Sequence, residues 1–203
     1  MKKQLTILLV FFCASLVYSQ KMKVENGGFD FIKDQKEINV EFVYDNMKIN
    51  KKNLTNDEYV QEHAADLEEK KGKGEGKAWK KSWIASREII YAPKFLELMN
   101  QDLYEEKGIS FKKDLSNAKY TLIVETVWVY PGWNVAVMRQ PAKVTTLLKF
   151  VETANRDNVV LEITSKNAPG NRFGGTFSNE DRIGEGYAKT GKTLSKLIMK
   201  KAF

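Results

Sequence analysis

Cysteine and histidine are almost missing from this chain: Cys13 and His63 are the sole examples among 203 residues. Cys13 lies in an apolar N-terminal run, so the remainder has no thiol for a disulfide, a cysteine nucleophile or a thiolate metal site. One histidine leaves a zinc site of several imidazoles, or a Ser-His-Asp triad, with at most one member. No apolar stretch after residue 19 is long enough to span a membrane. Internal repeats and low-complexity linkers are also missing. Stability must therefore come from an ordinary apolar core, and no cofactor is called for.

What is present begins with residues 1–19, MKKQLTILLVFFCASLVYS, which have the build of a secretory signal peptide. Lys2 and Lys3 supply the basic start, residues 5–17 the apolar run, and Val17 and Ser19 the small residues before a cut preceding Gln20. The run is about 13 residues long, short of the roughly 20 that a spanning helix needs. Phe12 before Cys13 speaks against a lipid-modified cysteine, which wants a small residue there. The expectation is export, to the periplasm, the outer membrane or the medium, with residues 20–203 forming one domain.

Of the 33 basic and 26 acidic side chains, only Lys2 and Lys3 belong to the signal, which leaves +5 on the remainder. Lysines and acids are interspersed, so anionic lipid, lipopolysaccharide or polysaccharide suits this charge better than nucleic acid.

Period-two alternation over residues 38–44 predicts a strand, with Ile38, Val40, Phe42 and Tyr44 facing inward. Thr55 and Glu58 form a capping box ahead of a helix carrying Tyr59, Val60, Ala64 and Leu67 on one face. Residues 70–77, KKGKGEGK, read as a mobile loop. Helical spacing resumes over residues 78–90 through Trp79, Trp83, Ser86 and Ile90, with a kink or restart near Ala92 because of Pro93. A further helix stops before Gly108. Residues 120–130 predict a central strand covered on both faces for part of its length, Leu122, Val124 and Trp128 on one side and Ile123, Val127 and Val129 on the other. Residues 143–152 and 158–166 predict an antiparallel hairpin. A glycine-bearing loop over residues 167–175 leads to a last helix capped by Ser178. The sum is an α+β fold: a small, mainly antiparallel sheet of about four strands with helices on one face.

Residues 186–193, GYAKTGKT, match the phosphate-loop pattern, with Gly186, Gly191, Lys192 and Thr193 in the nucleotide-binding positions. That chemistry needs a buried strand before the loop and further strands after it. Here polar SNEDRIGE precedes the motif and ten residues follow it. The glycines fit close approach of a helix to the sheet instead. Asp66, Glu68 and Glu69 lie on a charged helix face, and the Asn179-Glu180-Asp181 and Asn155 to Asn158 clusters lack calcium-loop spacing.

Residues 131–141, PGWNVAVMRQP, bridge two strands yet carry Trp133, Val135, Val137 and Met138 beside Arg139. They either fold under the sheet or lengthen both strands, or else form an exposed apolar tip for a partner. These five residues are the candidate partner-binding set; no catalytic or metal-binding residue is assigned.

Four segments, INVEFVYDNMKI, PKFLELMN, PGWNVAVMRQPAKV and RIGEGYAKTGKTLSKLI, resemble a group of uncharacterised exported proteins of Bacteroidota. The order of elements is also similar to small envelope domains such as the N-terminal domain of the Tol translocation protein. The resemblance implies an envelope binding or assembly role and supplies no site residues. The expectation is a non-catalytic envelope protein binding a protein, lipid or glycan; the alternative is a small secreted hydrolase using carboxylates or a Ser/Lys pair.

Overall fold

The computed structural model describes residues 20–135, 138–170 and 178–203, and the backbone alone of 134, 135, 138 and 139. The expected signal, residues 1–19, lies outside the described residues.

Side chains set the helix starts. Thr55 caps α1 (Asn56–Lys71): its hydroxyl accepts the Glu58 N–H at 3.3 Å, while the Glu58 carboxylate accepts the Thr55 N–H at 2.8 Å. Residues 70–77 are mostly helix, not the expected loop, because α2 (Glu75–Ser86) starts only a short turn later. Glu68 explains this: its carboxylate accepts N–H groups of Gly74 at 2.6 Å and Gly76 at 3.1 Å, capping α2 from the preceding helix. One π-helical turn (Arg87–Tyr91) then joins α2 to α3 (Ala92–Lys107). The wider turn accommodates Pro93, which has no N–H for the α-helical ladder. Gly108, at φ 66°, closes α3 in the left-handed region. Ser178 caps α4 (Asn179–Ala202) by accepting the Asp181 N–H at 3.0 Å.

The class is α+β, but the expected four-stranded, mainly antiparallel sheet is wrong. Eight described strands form one mixed sheet, with a path from β1 (Lys21–Gly27) through β10 (Asn155–Gly170), β9 (Ala142–Glu152), β6 (Tyr120–Tyr130) and β2 (Glu37–Val43) to β5 (Ser110–Lys112). The short β3 (Lys48–Ile49) lies beside β6 and pairs with β4 (Leu54–Thr55). The β2–β5, β2–β6 and β3–β6 pairs are parallel. Four of these strands escape sequence reading because they are two to seven residues long and mostly polar; β1 offers only Met22 and Val24 to the core. The β9–β10 hairpin is present with longer strands, and β10 runs on to Gly170 through part of the expected loop.

Helices α3 and α4 cover one face. Val144, Leu148 and Phe150 of β9 and Leu161 and Ile163 of β10 are buried there with Phe95, Met99, Ile183, Tyr187 and Ile198. The approach is close: a Cβ on Gly186 would stand 2.5 Å from Val144 Cγ2, and one on Gly191 would stand 2.3 Å from the Phe95 carbonyl oxygen. The other face is covered only in part: Thr121 and its β2 neighbour Asn39 are buried at the start of β6, whereas Val127 further along is 40% exposed and leaves an open end.

Candidate functional site

A single extra residue in β6 builds the most distinctive feature of the open face. The β6–β9 register shifts between Thr126 and Trp128, leaving Val127 without a partner. Leu122, Val124 and Thr126 point inward before the bulge, and Val129 after it. The expected grouping of Trp128 with Leu122 is therefore inverted: Trp128 and Tyr130 both turn outward.

Their polar edges are held by the protein. Trp128 Nε1 donates to the Asn50 carbonyl at 2.9 Å, while the Tyr130 hydroxyl donates to Gln140 Oε1 at 2.7 Å. The two rings are parallel within 9°, with centroids 6.1 Å apart. Gly132, at φ 73°, then turns the chain against the Gln140 carbonyl, where a Cβ would come within 2.5 Å. The next residue, Trp133, donates Nε1 to the same Gln140 Oε1 at 2.9 Å and keeps 39% of its surface exposed.

Trp133 opens β7 (Trp133–Val135), which pairs antiparallel with β8 (Met138–Gln140) as a ribbon separate from the main sheet. Of the five candidate partner residues, Trp133 is at the surface, and Val135, Met138 and Arg139 take their places in the ribbon backbone. Val137 lies outside the described residues. Sequence reading missed Trp128, Tyr130 and Gln140; the outward Trp128–Tyr130 pair depends on a bulge that periodicity does not reveal.

The phosphate-loop match falls inside α4, so its residues form helix rather than a loop. Gly186 and Gly191 are buried against strand and helix neighbours, Lys192 is exposed, and Thr193 Oγ1 lies 2.8 Å from the Lys189 carbonyl and 2.6 Å from Gln20 Oε1. No cradle of free N–H groups exists there.

Three of the acidic residues singled out in the sequence are engaged as well. Glu68 caps α2, Asp66 pairs with Lys70 at 2.5 Å, and buried Glu180 accepts Trp79 Nε1 at 2.9 Å. His63 is half-buried, stacked on Tyr59 and edge-on to Trp79 at 4.3 Å. Burial lowers its pKa, and burial pushes Tyr59 up to about 12. Asn50, Tyr59, Glu62, His63 and Asp66 line an open groove of about 280 Å³. Among the described residues, no three His, Cys, Asp or Glu side chains are grouped to hold a metal ion, and no helix is long and apolar enough to cross a membrane.

No family model and no curated protein matches the chain. Among solved structures, a PelC dodecamer from Paraburkholderia phytofirmans aligns over 87% of this chain and 98% of its own, at 10% identity and a TM-score of 0.39. A neuraminyllactose-binding hemagglutinin homolog from Helicobacter pylori aligns over 83% of this chain and 93% of its own, at 19% identity and a TM-score of 0.26. At these scores neither carries an argument about fold or function.

Proposed function

We propose that the chain is an exported, non-catalytic cell-envelope protein that holds a protein, lipid or glycan partner at the aromatic end of the open sheet face and its β7–β8 ribbon. The observation carrying this role is Trp133: its N–H is bound by Gln140, but the residue is 39% exposed. A tryptophan whose polar edge is already satisfied gives little to water and much to a partner that covers its ring. Pinning by Gln140 also lowers the ordering cost of binding. The signal-like residues 1–19 and the resemblance to exported Bacteroidota proteins support the location.

The test replaces Trp133 and Met138 with serine. Pull-downs from envelope extracts should lose a partner that the unaltered protein recovers, or membrane association should fall. Unchanged recovery and unchanged association would remove the proposal. Mass spectrometry of the exported protein's N-terminus should find Gln20 first.

A further inference from the structure

The irregular end of β1 carries a chemical feature separate from the aromatic rings. Asn26 is followed by Gly27, whereas the other asparagines of the chain all precede a residue with a side chain. The fold demands that glycine. Gly27 has φ 84°, and a Cβ on it would stand 2.0 Å from the Val160 carbonyl oxygen of β10. The β1–β10 register shifts between Val24 and Asn26, after which Asn26 partners Glu162 and Gly27 partners Leu161.

Both residues are exposed, and the Gly27 N–H donates to Asn26 Oδ1 at 2.8 Å. Because a C=O bond is about 1.2 Å long, the carboxamide carbon lies within about 4 Å of that nitrogen, near the roughly 3–3.5 Å of an attack geometry. A backbone nucleophile thus stands beside its electrophile, with no Cβ on Gly27 to shield it. Other carboxamides are fixed elsewhere: Asn56 Oδ1 accepts Trp83 and Arg87, Asn100 is bonded to the Leu96 and Phe111 backbone, and Asn39 Oδ1 accepts the Leu115 N–H. The reaction needs only base and water. Base takes the Gly27 amide proton, the nitrogen bonds to Asn26 Cγ, and the Cγ–Nδ2 bond breaks as ammonia leaves. Water then opens the five-membered succinimide. Opening at the former side-chain carbonyl gives aspartate; opening at the former backbone carbonyl gives isoaspartate, which adds a methylene to the main chain. Either product is an acid beside Glu25 and opposite Glu162. Among the described strands β1 pairs with β10 alone, so no strand on its other side holds this end in place.

We infer that Asn26 is a self-modification site: in the folded protein it loses ammonia through attack by the Gly27 nitrogen, and the acid formed loosens this end of β1 from β10. The test incubates the folded protein, its Asn26→Gln variant and a synthetic peptide of residues 24–33 in mildly alkaline buffer. Tryptic mapping follows the amide-to-acid mass gain, and isoaspartyl methyltransferase labels the isoaspartate. Asn26 should convert at least about tenfold faster than any other asparagine, and at no less than about one-tenth of the rate in the free peptide. Asn26→Gln should stay unconverted over the same period, because glutamine would have to close a six-membered ring. The aged protein should unfold at lower urea than the fresh protein, a shift that aged Asn26→Gln lacks.

Conversion at Asn26 no faster than at the other asparagines overturns the inference. So does a rate in the folded protein more than about tenfold below that of the free peptide, which would mean that the fold holds the two groups apart. Conversion that leaves the urea midpoint unmoved overturns the loosening of β1.

Discussion

Tyr59, Trp79 and Trp83, packed where α1 meets α2, and Trp128, Tyr130 and Trp133, at the end of the open face, use the same residue types and treat their polar edges alike. In the helical cluster Trp79 Nε1 donates to Glu180, and Trp83 Nε1 donates to Asn56 Oδ1 at 3.1 Å, an oxygen that also accepts Arg87 at 2.9 Å. In the sheet cluster Asn50 and Gln140 accept the donors. The difference is in the ring faces. Trp83 is 2% exposed and tilts against Tyr59 at 5.2 Å and Trp79 at 5.5 Å, so its surface is consumed by the core. Trp133 retains its face. A satisfied N–H therefore does not mark an aromatic residue as structural; what marks it is whether another part of the chain covers the ring.

The most severe test of that contrast is Trp83→Ala. Losing a buried indole should cost about 3–5 kcal/mol in urea unfolding, with the m-value unchanged. A loss under about 1 kcal/mol would put Trp83 with the uncovered rings. Next comes the helix that supplies Glu180. Alanine at Gly191 would meet the Phe95 carbonyl at 2.3 Å, and at Gly186 would meet Val144 at 2.5 Å. Alanine normally gains about 1 kcal/mol over glycine inside a helix, so the expected loss of about 1–3 kcal/mol for either substitution reverses the usual sign. A gain in stability would show that α4 stands further from α3 and the sheet than described.

Much of the helical half was legible. Thr55 with Glu58, Ser178 with Asp181, and Gly108 announce helix ends by local chemistry, and 3.6-residue spacing brought Trp79 and Trp83 to one side. The sheet was legible only where strands are long, as in β6, β9 and β10. Two- and three-residue strands such as β3, β4 and β5 carry no measurable period; they form because neighbours present unpaired backbone. The candidate site was hidden for a sharper reason. Strict alternation assigns Trp128 to the face of Leu122, and the unpaired Val127 reverses every assignment after it. Of the three rings, sequence picks out Trp133 alone, because it stands with Val135, Val137 and Met138 in an unusually apolar strand connection.

A smaller effect separates the clusters by pH. His63 stacks on Tyr59 with rings 5.6 Å apart, and burial there is the main cause of its lowered pKa, against the opposing pull of Asp66 and Glu180. Because the folded value is below the unfolded one, His63 contributes fully above the ordinary histidine range. That contribution is lost as pH falls through the range towards the folded value. Unfolding midpoints measured from about pH 8 down to about pH 5 should decline more in the unaltered protein than in His63→Phe. The margin should be below that of either core substitution, since His63 is only half-buried. Identical pH profiles would mean that the helical cluster does not desolvate the ring.

The smallest stability effect belongs to Trp133→Ser, and its smallness is the point. Removing the indole takes one of two donors from Gln140 Oε1, but Tyr130 still donates at 2.7 Å, so no acceptor is stranded. The lost apolar contact is limited because 39% of Trp133 is already exposed to water. Stability should change by no more than about 0.5 kcal/mol, within the range of ordinary surface substitutions. The same change should abolish partner recovery from envelope extracts. A loss of several kcal/mol would mean that Trp133 supports the fold as Trp83 does, and any change in recovery would then report unfolding rather than a missing contact.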